Sequence, residues 1–119
     1  MDKIFKELSI PIRVTLAVET EIDPFEKNVE TVNLSSIPLM AIVNEISPAK
    51  AQWTMPGIIT EKIKQVILRK IHRPLIERSQ KITVKGDNSE YYGYRINGKL
   101  SIVEEQDYIR IYIYVKKEQ

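Results

Sequence analysis

The sequence predicts a mainly β fold: a small, mostly antiparallel β-barrel of roughly six or seven strands, with long loops and at most short helices. Three observations carry this. Ile12, Val14, Leu16 and Val18 alternate with Arg13, Thr15, Ala17 and Glu19, the period-two pattern of a half-buried strand. Residues 81–115 repeat that alternation, interrupted only by turn-forming clusters. The chain has 119 residues, the size of a single domain, and its sheet must bury one face. Curling the sheet does so economically and removes open edges.

Each element follows from local chemistry. In residues 3–8 (KIFKEL), Ile4, Phe5 and Leu8 can share a helical face, but one such turn is unstable alone. Pro11 argues against continuation beyond Ser9, so the segment is either an arm or a packed short helix. The strand over 12–19 is followed by a long loop over 20–36, with Asp23-Pro24 as a turn and a weak strand at 29–34. Residues 38–46 (PLMAIVNEI) are apolar on both faces, as in a central or covered strand. A second long loop spans 47–60. Ser47 and Pro48 can open a short helix there, as cap and first helical residue, and Met55-Pro56-Gly57 breaks any regular element.

Residues 60–79 are ambiguous in period. Ile63, Val66, Ile67 and Ile71 have helical spacing, yet the β-branched run Val66-Ile67-Leu68 suits a strand over 63–71, closed by Pro74. Leu75–Ser79 can form one helical turn. Beyond it the pattern predicts a four-stranded meander. Gly86–Ser89 is the first turn and Tyr91–Ile96 a single returning strand. Asn97-Gly98 reads as a type I′ hairpin turn, because both residues tolerate positive φ. That register sets Ile96 opposite Lys99, Arg95 opposite Leu100, Tyr94 opposite Ser101 and Tyr92 opposite Val103. Tyr108–Val115 is the last strand, with Ile109, Ile111 and Ile113 on one face and Arg110, Tyr112 and Tyr114 on the other.

Composition narrows the chemistry. Without cysteine there is no disulfide, thiolate nucleophile or Cys-ligated metal, and His72 as the sole histidine excludes a multi-His site within one chain. No catalytic, cofactor-binding or metal residue is assigned. Glu104, Glu105 and Asp107 lie in a tight turn with no nucleophile or ligand pattern around them. No apolar stretch approaches the ~20 residues that span a bilayer, and the N-terminus lacks an apolar signal core, so the expected class is a non-membrane, non-enzymatic protein. The net charge is only +2, but residues 62–85 carry eight basic side chains against one acidic, while residues 1–61 carry nine acidic against five basic. Such asymmetry suits nucleic acid, an acidic protein patch, or plain solvation. All six tyrosines fall within residues 91–114. They can stack bases, form an interface or pack the core.

The pattern Trp53…Gly57-Ile58, then KIKQVILRKIHRPLIERSQKITVKG, YYGYRINGKLSI and DYIRIYIY, resembles the small head-closure (head–tail connector) proteins of long-tailed bacteriophages over roughly residues 12–115. The resemblance implies a barrel subunit that self-associates into a ring, a hexamer or dodecamer, beneath the portal. The ring would sit in the virion neck, assemble in the host cytoplasm, join the DNA-filled head to the tail and help retain the genome. Its implied partners are the portal–adaptor complex and tail-terminating proteins, with non-specific DNA contact in the channel. Under that reading Phe25, Trp53, Met55, Arg69, Lys70, Arg73, Tyr112 and Tyr114 are the expected contact residues. The rival expectation is a nucleic-acid-binding barrel using Arg69, Lys70, Arg73 and the tyrosines.

Overall fold

The computed structural model describes residues 2–19, 32–58, 60 and 62–116; Phe25 and the rest of the expected 20–31 loop lie outside these described residues. The elements are α1 (Asp2–Leu8), β1 (Ile10–Glu19), β2 (Val32–Glu45), α2 (Pro48–Thr54), β3 (Ile63–Arg69), a 3-10 turn (Lys70–His72), α3 (Arg73–Glu77), β4 (Ser79–Val84), β5 (Tyr92–Gly93), β6 (Arg95–Ile96), β7 (Lys99–Leu100), β8 (Ile102–Glu105) and β9 (Tyr108–Tyr114).

Hydrogen bonding orders the main sheet β4-β1-β2-β3-β9-β5, with β8 also on β9, and β6–β7 forms a separate hairpin. Every pairing is antiparallel. Tyr91 and Ile82 then exchange backbone hydrogen bonds of 2.8 and 2.9 Å, bringing the β5 end of the sheet against β4. The result is the nearly closed six-strand barrel expected from the sequence. Its corner is β2, which pairs with β1 through residues 32–41 and with β3 through residues 42–45.

The alternation read from the sequence fills the barrel. Ile12, Val14 and Leu16 meet Val66, Leu68, Ile82, Ile109, Ile111 and Ile113 in one core cluster. Ile76 of α3 is fully buried in the same cluster. β3 runs toward α3 and β4 runs away from it, so α3 covers one barrel end and leaves the other as a mouth beside Lys64, Val84 and Tyr91.

The outer face of β3 and β9 is covered as well. Phe5 of α1 packs with Ile42 and Tyr108, ring centroids 5.3 Å apart. Ala51 and Met55, on and just after α2, pack with Ile46, Ile63 and Tyr112. Residues 2–8 are therefore a packed short helix. The cap of α2 is the one its sequence announces: Ser47 Oγ accepts from the Lys50 amide at 3.3 Å, with Pro48 in the first turn.

Several boundaries differ from the sequence reading. Residues 32–36, expected in the first long loop, belong to β2, whose pairing with β1 runs without interruption to Val32. The second long loop contains α2. The strand expected over 63–71 stops at Arg69, because Pro74 belongs to the first turn of α3, where its missing N–H costs nothing. The Asn97-Gly98 turn gives the expected pairs, with φ of 53° and 80°. The strand before it does not continue. Tyr92 pairs with Tyr114, not with Val103, and Val103 pairs with Arg110. The β6–β7 hairpin folds across instead and lays Leu100 over Gly93: a Cβ there would sit 2.5 Å from Leu100 Cδ1, so the Leu100 side chain would have to shift.

Candidate functional site

Apart from Phe25, which lies outside the described residues, the residues singled out by the sequence fall at the two ends of β3, seven residues long and thus about 20 Å. At the Ile63 end stands α2. Its inward residues hold it to the sheet, and Tyr94 Oη donates to the Pro56 carbonyl at 3.3 Å. Met55 is 0% exposed and Tyr112 is buried, so these two expected contact residues are packed inside the chain. A thioether and a phenol ring there fill the gap between α2 and β9. Tyr114 is half-buried against the same cluster. Trp53 points the other way and is 86% exposed.

At the Arg69 end the chain turns a corner stapled by acidic groups. The Arg69 guanidinium lies 4.9 Å from the Phe5 ring centroid and 3.4 Å from Asp2. The Lys70 amide donates to the Asp107 carbonyl at 2.8 Å, and its ammonium is 3.4 Å from Glu104. Arg73 bridges Glu77 at 2.8 Å and also Glu104. Asp2 accepts from Tyr108 Oη at 2.5 Å; that bond, then Arg69, holds the Asp2 carboxyl below the usual range, while the same bond, then burial, raises the Tyr108 phenol against the opposing pull of Arg69. Burial, and then Arg69, lowers the His72 pKa. Ile71 stands at the tip of this corner, 80% exposed.

The barrel mouth forms a third feature, a cavity of about 640 Å³ bordered by Lys62, Lys64, Lys85, Asp87, Ser89 and Tyr91. Asp87 organises it. Its carboxylate accepts from Tyr91 Oη at 2.5 Å and from the Ser89 amide at 2.9 Å, and Lys64 Nζ lies 3.8 Å away. The Tyr91 bond, then the Ser89 amide, hold Asp87 at about 2, while burial and Asp87 push the Tyr91 phenol up.

Sequence reasoning missed Ile71 and the Asp87–Tyr91 pair. The Asp87-Asn88-Ser89 turn carried one usable signal: a side-chain carboxylate commonly accepts from the amide two residues on. Among the described residues no group of three or more His, Cys, Asp or Glu could hold a metal, and no helix is long and apolar enough to cross a membrane. No family model, curated protein or solved structure matches this chain.

Proposed function

We propose that the chain is a structural ring subunit of a bacteriophage neck, a head-closure protein that joins head to tail. The observation that carries this reading is the exposure of Trp53. The barrel already has a filled core and two covering helices, so an 86% exposed indole adds nothing to the isolated chain. Trp is enriched where protein surfaces are covered by partners, and here it stands on a helix fixed from behind by Ala51 and Met55. Ile71, 80% exposed at the other end of β3, offers a second apolar contact. The resemblance of residues 12–115 to head-closure proteins gives these contacts their occupants, neighbouring copies and the portal–adaptor complex.

The nucleic-acid reading draws less from the geometry. Arg69, Lys70 and Arg73 each face a carboxylate, and Tyr91, Tyr108 and Tyr112 are buried. Native mass spectrometry of the protein alone and mixed with a portal–adaptor complex tests the proposal. A ring of copies, alone or on that template, supports it, and W53A should weaken it. No association with the template refutes it.

A further inference from the structure

One edge of β2 has no partner strand among the described residues. β2 pairs with β1 over residues 32–41, but meets β3 only over residues 42–45. Beyond Ile42, β3 heads for Arg69 and the corner, and α1 packs at the divergence through Phe5. The Lys85 amide donates to the Pro11 carbonyl, so the polar groups of Pro11 face away from β2. In an antiparallel ladder such a residue sits in a non-hydrogen-bonded pair, and so does its partner, Met40. By period two, Leu34, Ser36, Pro38 and Met40 all aim their backbone groups away from β1. The Ile46 amide, which donates to Ile63 on β3, gives the same parity independently.

This edge lacks the usual protection. Residues 31–44 contain no charged side chain, in a chain of which 29% is charged. Natural edge strands are commonly guarded by lysine, inward charges, proline or bulges. Only Pro38 serves here, blanking a single donor. Ser35, Ser36 and Pro38 are exposed and small, so their own side chains screen the backbone little.

We infer that the β2 edge around Ser36 is a strand-addition seam between copies of this chain, pairing antiparallel with the same β2 edge of a second copy. The occupant follows from charge. An uncharged edge is one that identical chains can share without setting like charges opposite each other, and the net charge of +2 opposes association little. The inference rests on the self-association proposed above and adds to it a two-fold contact that joins copies in pairs, distinct from the head-to-tail contacts that close a ring.

The parity supplies a clean perturbation. The Ser36 amide points outward, so Ser36→Pro removes an intermolecular donor and no bond to β1. Ser36→Lys places a charge on the same edge without touching the backbone. Both variants should melt with the wild type, yet self-associate about tenfold more weakly or worse by native mass spectrometry over a dilution series. Hydrogen exchange of the full wild-type chain should show the outward-facing amides of Leu34, Ser36 and Met40 slowing on assembly. Unchanged association of both variants overturns the seam while leaving the ring proposal standing, and so does slow exchange of those amides already in the dilute monomer. A wild type that never associates, alone or on the portal–adaptor template, overturns both.

Discussion

Removing one hydroxyl tests how the barrel is held shut. Tyr91 is fully buried, its backbone closes the barrel against Ile82, and its Oη donates to Asp87 at 2.5 Å. Tyr91→Phe keeps the ring and deletes that bond. A hydrogen bond to a charged group contributes about 1.5–3 kcal/mol. Asp87 keeps the Ser89 amide, and its side chain is 22% exposed, so water can take the vacated position. The expected loss is therefore about 1–2 kcal/mol, a Tm drop of about 4 °C for each kcal/mol in a chain of this size. Urea unfolding should give a lower midpoint at unchanged slope. A double-mutant cycle with Asp87→Asn should return a coupling of about 1 kcal/mol or more. The effect has a pH signature. Asp87 is held at about 2 in the folded chain against an ordinary 3.8. Its contribution is thus complete above the ordinary value and is lost as pH falls through the folded one. The gap between wild type and Tyr91→Phe should narrow from about pH 4 down to pH 2. A Tyr91→Phe protein within about 0.3 kcal/mol of wild type at pH 7, with no coupling to Asp87, would refute this account of the closure.

Ile111→Ala, at a fully buried position of the central strand β9, should cost about 2–5 kcal/mol by leaving a cavity, read by urea unfolding. Gly98→Ala meets no neighbouring atom but must hold a φ of +80°, so about 1–2 kcal/mol of backbone strain should appear in its melting curve. Trp53 is the sole tryptophan, so intrinsic fluorescence should be that of a solvated indole in the monomer and shift blue on assembly, while Trp53→Ala leaves stability within about 0.5 kcal/mol. Duplex DNA should bind weakly, and the salt dependence of binding should correspond to about two phosphate contacts or fewer; a slope several-fold steeper would favour the nucleic-acid reading.

The strands were legible because their pattern is local. Ile12 to Leu16 and Ile109 to Ile113 alternate within a single element, and the Asn97-Gly98 turn specifies its own register. What was illegible depends on contacts distant in sequence. Nothing in KIFKEL reveals that Phe5 will find Tyr108, more than a hundred residues away, and that this contact converts a marginal turn into a packed helix. The two-faced apolar character of residues 38–46 indicated a covered strand, but that α1 and α2 do the covering could not be read from it. The broken strand at Tyr91–Ile96 likewise depends on Tyr92 choosing Tyr114 over Val103, a competition between two equally antiparallel partners that local propensity does not rank. Met55, Tyr112 and Trp53 show the same limit for the candidate contacts. All three are large and near α2, and only the direction of the helix separates the buried pair from the exposed indole.

Along the sequence, residues 62–85 form a basic block, which invites a polyanion. In three dimensions the block is threaded back and forth between acidic groups. Lys64 reaches Glu45 and Asp87, Arg69 reaches Asp2, Lys70 and Arg73 reach Glu104, and Lys81 reaches Glu90. Most of these pairs are partly solvated, so each contributes little to stability. Their larger effect is on the field outside the molecule. A cation 3–4 Å from a carboxylate presents a dipole to an approaching phosphate, and a dipole's potential falls away faster than that of a free charge. Five of the block's eight basic side chains are paired in this way, which weakens its pull on a polyanion, while Trp53 and Ile71 stay uncovered. That balance is the one the proposed ring would need, since DNA would have to pass through it without being gripped.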